Sequence, residues 1–367
     1  MTALRRWLVT LVVVGLVVAL PLAPRLLPAQ ASDVSAADLL AQVRASPDQG
    51  WSGLVETAGT LQLPASGELD DLGALLGEQT RMRVWWRGPD AWRVDRLLVA
   101  GEDDLVHRGS QTVDYSYEAQ EARVSADPDI RLPRTVDLLP NELARRLLDG
   151  ADPASVQRLP ARRVAGLSAP GLRLAGAAAT RSTIARVDLW ADPATGVPLR
   201  LEVWARGADA PSFTTGVVEY DGTRPARERV TFEATATTEV RREEVLDIAD
   251  AANQYAPFRP PPRVAGLAST DATRGAVGVY GAGLRQLIAI PLRGSEAGPL
   301  RRQIAVTPGA TSTERSIGAT VGPLGLLLGG RGDDGGWLVA GTLTQQALQQ
   351  AVDDLVAGTV YVEERDR

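Results

Sequence analysis

The stretch from residue 80 to 125 constrains the fold more than any other. Short runs of alternating apolar and polar residues follow one another with only two or three residues between them, near 80–87, 91–99, 103–108, 111–117 and 121–125. No helix fits such spacing, and each run must pair with its neighbour as a meander of antiparallel hairpins. In "RMRVWWRGPDAWRVD" a turn at Gly88-Pro89-Asp90 sets Trp86 opposite Trp92 and Val84 opposite Val94 on one face. Arg83 then faces Asp95 on the other, which Trp85 and Arg93 share. A second hairpin, "ARVDLWADPATGVPLRLEVWAR", repeats this logic around "DPATG". It predicts Val187 opposite Leu201 and Leu189 opposite Leu199, with the charge pairs Asp188–Arg200 and Arg186–Glu202 on the other side, where Trp190 and Trp204 also fall.

The flanking sequence supplies covers and closing strands. "SAADLLAQVRAS" carries Leu39, Leu40 and Val43 on one helical stripe, with Asp33 or Ser35 as N-cap. Trp51 to Leu63 alternates as a strand, and "LDDLGALLG" reads as one helical piece. "LPNELARRLLDG" reads as a helix capped by Asn141, with Leu143, Leu147 and Leu148 as its stripe and Gly150 as its stop. It is a candidate cover for the charged face that holds Trp85, Trp190 and Trp204. "VQRL", "RRVAGL" and "GLRLAG" read as short strands broken by Pro160 and Pro170, and Ser212 to Tyr220 as a last long strand. Val245, Ile248, Ala249 and Ala252 then recur at helical spacing. "RPPPRVAG" marks a boundary near 258, dividing 32–258 from a small C-terminal α+β unit at 259–367. That unit reads as two strands about a Gly turn, a hairpin with a Gly/Asp-rich tip, and a helix capped at Thr342 or Thr344.

The N-terminus, "MTALRRWLVTLVVVGLVVALPLAPRLLPAQA", has Arg5 and Arg6 before an apolar run and a small-x-small motif at Ala29–Ala31. Residues 1–31 are expected to be a signal peptide or an N-terminal membrane anchor, which places the remainder outside the cytoplasm. As a helix the apolar run would reach about 25 Å, short of the ~30 Å hydrocarbon core.

Several kinds of chemistry lack their parts. A formal net charge of −6 argues against nucleic acid as a partner, and all 39 basic residues are arginine. With no cysteine there is no disulfide, thiol nucleophile or thiolate metal site. His107, the single histidine, is expected as an exposed strand-end residue, and one histidine without cysteine makes zinc implausible. Pairs such as Asp103-Asp104 and Asp353-Asp354 read as solvated charges without EF-hand spacing. "GVYGAGL" reads as a turn and "RGD" at 331–333 as a loop tip. No cofactor, no metal and no catalytic residue is expected, with a two-carboxylate hydrolase as an outside alternative.

The candidate ligand-binding residues are the hairpin tryptophans Trp85, Trp86, Trp92, Trp190 and Trp204. Trp86 and Trp92 weigh toward core, whereas alternation sets the other three opposite the aliphatic side. Trp51 and Gly53, then "RVWW" and "PDAWRV" at 83–94, then Gly109, Thr112, Val113 and Tyr115, and finally "VDLWADPATGVPLRLEV" at 187–203, follow a recognisable order. Over roughly residues 33–235 the chain resembles the lipoprotein-carrier superfamily of LolA, LolB and the sigma-E regulator RseB, with a two-module arrangement similar to RseB. The resemblance implies an α+β fold: an antiparallel meander forming an unclosed half β-barrel covered by helices, plus the C-terminal domain. It further implies a non-enzymatic extracytoplasmic protein that holds an acyl chain, lipid or lipoprotein. The alternative it implies is a regulator that binds a membrane anti-sigma factor.

Overall fold

The structure is a computed structural model and describes residues 29–61, 70–243, 245, 247–330 and 335–362. The expected leader, apart from its last three residues, and the "RGD" tip lie outside the described residues.

The alternating runs become strands that pair in sequence. The first six are β1 (Trp51–Gly59), β2 (Gln79–Gly88), β3 (Ala91–Leu97), β4 (Glu102–Arg108), β5 (Gln111–Ser116) and β6 (Glu121–Ala126). Next come β7 (Val156–Val164), β8 (Leu167–Leu174), β9 (Ile184–Ala191), β10 (Pro198–Ala205), β11 (Phe213–Asp221) and β12 (Glu239–Arg242). They form one 12-stranded sheet in the order β12-β6-β5-β4-β3-β2-β1-β11-β10-β9-β8-β7. The end strands β12 and β7 do not pair, so the sheet is an unclosed half-barrel. After β11 the chain returns across the sheet's outer face, where a short 3-10 turn at Arg227–Val230 packs over β2, β3 and β4 and Phe232 meets Tyr115 at 5.2 Å. Because that return crosses a face, β12 adds to β6 in parallel.

The register of the first hairpin is the expected one: Trp86 faces Trp92, Val84 faces Val94 and Arg83 faces Asp95. The second differs by two residues. Leu189 faces Leu201, Val187 faces Val203, and the carboxylates Asp188 and Glu202 face each other. The cause is the loop. The Asp192 carboxylate accepts from Ala194 N at 2.9 Å and from the Thr195 hydroxyl at 2.8 Å, and Asp192 N donates to Val197 O at 2.9 Å. The loop, residues 192–197, is one residue longer than "DPATG", and a bulge between Pro198 and Arg200 supplies the second residue of the shift. The three strands expected between the hairpins are two long ones, β7 and β8, joined at Ala165-Gly166, both with positive φ (46° and 85°). Pro160 is tolerated because β7 is an edge strand and the proline sits in a register shift between Leu159 and Arg162. Residues 239–242, ahead of the helical spacing read from Val245, form strand β12.

Three short helices lie on the concave side: α1 (Ala36–Arg44), α2 (Asp70–Gly77) and α3 (Pro140–Leu147). Ser35 caps α1, accepting from Asp38 N at 3.1 Å. Asn141 does not cap α3: Leu139 holds that position and Pro140 opens the helix. Nor does α3 cover the charged face. Ala144, Leu147 and Leu148 pack with Leu39, Leu40 and Val43 of α1 against Leu172, Val187, Leu189, Leu201 and Val203, the aliphatic face of the sheet. Burial of apolar stripes on both partners requires this side.

The C-terminal part is built on α4 (Ile248–Asn253), α5 (Gly294–Ala305), α6 (Gln345–Gly358) and small sheets. Its strands are β13 (Phe258–Arg259), β14 (Arg263–Val264), β15 (Leu267–Ala268), β16 (Gly278–Ala282) and β17 (Arg285–Leu292). They continue with β18 (Thr311–Ser312), β19 (Ser316–Val321), β20 (Leu324–Gly329), β21 (Gly336–Gly341) and β22 (Val360–Tyr361). Six make one sheet, β16-β17-β21-β20-β19-β18, on which α6 buries Leu348, Val352 and Leu355. The two parts are bonded together. Ser182 donates to Leu284 O at 2.6 Å, Thr183 donates to Pro323 O at 2.5 Å, and Leu284 joins the half-barrel core. No described helix is long and apolar enough to cross a membrane.

Candidate functional site

Alternation along each strand brings residues from β1, β2, β3, β4 and β11 into one row on the concave face. Trp51 of β1 faces Trp86 of β2, Trp86 faces Trp92 of β3, and Trp92 faces His107 of β4. The rings lie nearly parallel: 6.4 Å and 8° between Trp86 and Trp92, 5.1 Å and 15° between Trp92 and His107. Tyr220 of β11 extends the row, 6.2 Å from Trp51. Trp86 is anchored by Nε1 donating to Pro47 O at 2.9 Å.

His107 is buried, contrary to the exposed strand end expected for it. Its position two residues from Leu105 puts it on the apolar side. Its Nδ1 donates to the Thr112 hydroxyl at 2.9 Å, which donates to Asp127 Oδ1 at 2.6 Å; Asp127 Oδ2 also lies 3.2 Å from the ring nitrogen. The hydrogen bond from His107 holds the Asp127 carboxyl down at about 2, against the opposing effect of burial. At the other end Tyr220 donates to Asp192 Oδ2 at 3.0 Å, and burial raises its pKa.

The five candidate tryptophans do not share a wall. Trp86 and Trp92 belong to the concave row. Trp85 and Trp204 stand on the outer face, under Arg93 at 5.5 Å and Arg186 at 3.7 Å from the ring centroid, whereas Trp190, under Arg162 at 5.3 Å, is buried in the same core cluster as Trp86 and Trp92. Trp190 fits there because Gly171, opposite it on β8, has no side chain; a Cβ would meet Nε1 at 2.6 Å. Carboxylates complete this surface: Arg173 binds Asp188 through two contacts of 2.6 Å, and Arg162 and Arg200 both reach Glu202. Trp51, His107 and Tyr220 join the concave row, although sequence reasoning did not select them as site residues. For Trp51 and His107 the signal was alternation, four residues from Val55 and two from Leu105; Tyr220, three residues from the buried Val217, reaches the face through a β-bulge that alternation does not reveal.

Three buried polar groups on the concave face have no hydrogen-bond partner among the described residues: Trp51 Nε1, Thr57 Oγ1 and Thr215 Oγ1. Thr57 and Thr215 face each other across β1 and β11 and are 1% and 0% exposed. Orphaned groups of this kind cost about 1–3 kcal/mol each unless something pairs with them. A cleft of about 170 Å³ runs between α1 and α3, lined by Val43, Pro47, Ala144 and Leu148 and by Asn141, whose buried amide is also unpaired among the described residues.

On the outer face the carboxylate oxygens of Asp95, Glu102 and Asp104 lie within 4.8 Å of one another. Arg93 sits among them, 2.6 Å from Asp95 and 2.7 Å from Asp104, and supplies the neutralisation a cation would otherwise bring. Burial, with the adjacent Asp95 carboxylate, pushes Asp104 up to about 7.

No family model and no curated protein matches the chain. Among solved structures, it is similar to the Pseudomonas aeruginosa MucA/MucB complex at 16% identity, covering 89% of this chain and 99% of that one with a TM-score of 0.49. A LolA-superfamily protein from Nitrosomonas europaea matches at 13% identity, over 51% of this chain and 92% of that one, with a TM-score of 0.23. A putative outer-membrane lipoprotein-sorting domain from Vibrio parahaemolyticus matches at 11% identity, over 50% and 90%, with a TM-score of 0.19.

Proposed function

We propose that the protein is a non-enzymatic extracytoplasmic binding protein that takes an acyl chain, as free lipid or on a lipoprotein, against the concave face of its half-barrel. The observation that carries this reading is the set of unpaired groups at Trp51, Thr57 and Thr215 among the apolar side chains of Val55, Met82, Val84 and Val217. An apolar chain bearing carbonyl-type oxygens satisfies such a surface, since ligand sites combine apolar walls with a few polar anchors. Binding requires the cover to part, because a 170 Å³ cleft is smaller than the ~300 Å³ at which ligand pockets begin. The covering helices have 9, 8 and 8 residues, short enough to move as units. Trp86 and Trp92 are then ligand wall, Trp190 is core of the same cluster, and Trp85 and Trp204 stabilise the outer face.

Brominated fatty acid quenches tryptophan on contact and tests this directly. Quenching of the exported chain should fall in Trp86→Phe and Trp92→Phe and persist in Trp85→Phe and Trp204→Phe. Equal quenching across all four variants, or none in the unsubstituted chain, would refute the proposal.

A second reading, a regulator that binds a membrane anti-sigma factor, is favoured by a groove of about 1020 Å³ in the part after residue 258. It is lined by Phe258, Trp337, Val352, Val356 and Tyr361, of which Val356 and Tyr361 are 60% and 67% exposed. Exposed apolar side chains around a groove suit a polypeptide segment. On this reading a membrane protein co-purifies with the chain and is lost in Val356→Glu, while fatty-acid quenching is unchanged; retention of that partner by the variant counts against it.

A further inference from the structure

Behind the aromatic row, on the outer face, a pocket of about 400 Å³ opens at the turn end of the β2–β3 hairpin. Four arginines line it, Arg87, Arg108, Arg224 and Arg227, together with Asp48 and Asp90. Elsewhere this acidic chain matches its semi-buried arginines with carboxylates, as at Arg93, Arg96, Arg131 and Arg173. Here none of the four forms an ion pair among the described residues.

What holds two of them in place leaves their charge intact. Arg87 donates to Pro225 O, and Arg224 donates to the carbonyls of Arg87 and Asp48. Backbone carbonyls orient a guanidinium without cancelling it. Arg108 and Arg227 are exposed and have no hydrogen-bond partner among the described residues, so their planar donor sets are free. Four guanidiniums against two carboxylates leave a formal surplus of two positive charges in a chain whose net charge is −6.

We propose that this pocket binds a phosphate monoester or inorganic phosphate. A dianion with three equivalent acceptor oxygens matches the surplus charge and the forked donors of arginine. The volume exceeds that of one phosphate group, which leaves room for whatever the phosphate is esterified to. The site faces away from the concave row, and it stands or falls independently of acyl binding.

The test uses the exported chain and its Arg108→Gln/Arg227→Gln variant, whose exposed positions leave the fold intact by circular dichroism. Inorganic phosphate is titrated calorimetrically at low ionic strength. Sedimentation with phosphatidylcholine vesicles carrying phosphatidic acid, a monoester, or the same fraction of phosphatidylglycerol, a diester, supplies the second arm. Binding weakened about tenfold or more by the double substitution is expected, as for lost charge-assisted bonds. A calorimetric signal identifies the free anion as sufficient, and binding to phosphatidic acid vesicles alone identifies a lipid headgroup. Binding that survives the substitution, equal binding to both anionic vesicles, or no binding to any probe overturns the proposal. Should the double variant misfold, Arg227→Gln alone is measured against the same criteria.

Discussion

Asp104 and Asp127 respond to pH in opposite senses, although both are strand-end or loop carboxylates in the sequence. Asp104 is 4% exposed and faces Asp95 across β3 and β4, so burial and a like charge raise it to about 7. In the unfolded chain a carboxyl titrates near ~3.9. The folded state therefore holds this proton more tightly, and its contribution to stability declines as pH rises from ~4 through about 7. Asp127 is depressed to about 2, so its contribution is present above ~3.9 and is lost as pH falls toward 2. Asp104→Asn, which mimics the protonated form, should gain stability relative to the parent between about pH 5 and pH 8. Urea unfolding at both pH values checks it, and parallel curves would contradict the assignment. Nothing in the local sequence separates these two residues. Asp104 is set by a cross-strand neighbour, and Asp127 by a histidine twenty residues earlier that alternation brings to the same face.

At the scale of the element, the β9–β10 hairpin shows what a register argument can and cannot reach. The face of the aliphatic residues was legible, with Val187 and Leu189 inward, but alternation alone set Trp190 beside Asp188, whereas it is buried in the cluster that holds Trp86 and Trp92. The partners were not legible, because charge complementarity suggested Asp188 opposite Arg200, whereas Asp188 faces Glu202 and takes its counter-ion from β8. Two facing carboxylates persist only because Arg173, Arg162 and Arg200 supply the opposite charge. Asp188→Ala should therefore destabilise the protein by about 2–3 kcal/mol, leaving Arg173 and Arg186 without their acceptor. A double-mutant cycle with Arg173→Ala, read by chemical denaturation, should return a coupling above about 1 kcal/mol; additive single effects would show that the pair contributes nothing.

Over the whole molecule, the half-barrel and the C-terminal part meet through buried hydroxyls as well as apolar packing. Ser182 donates to Leu284 O and shares Thr342 O at 2.9 Å, in a site with no solvent exposure. Leu284 O keeps the Thr342 hydroxyl at 3.0 Å and Thr342 O keeps Thr183 N at 2.9 Å, so Ser182→Ala should cost only about 1 kcal/mol, and hydrogen exchange should quicken at Ile184 N, which donates to the lost hydroxyl at 3.0 Å. Unchanged exchange there would mean the contact is dispensable. Alternation and turn chemistry, read along the chain, determined that residues 79–126 form a meander, that Trp86 and Trp92 share an apolar face, and that Trp85 and Trp204 lie opposite. These are properties of single strands with a period of two. Only the tertiary structure decided which face is concave, that α1 and α3 cover the aliphatic side, that His107 closes an aromatic row, and that arginines from β2, β4 and the connection after β11 meet in one pocket. Each depends on how far a loop carries the chain before it returns, and no local period encodes that distance.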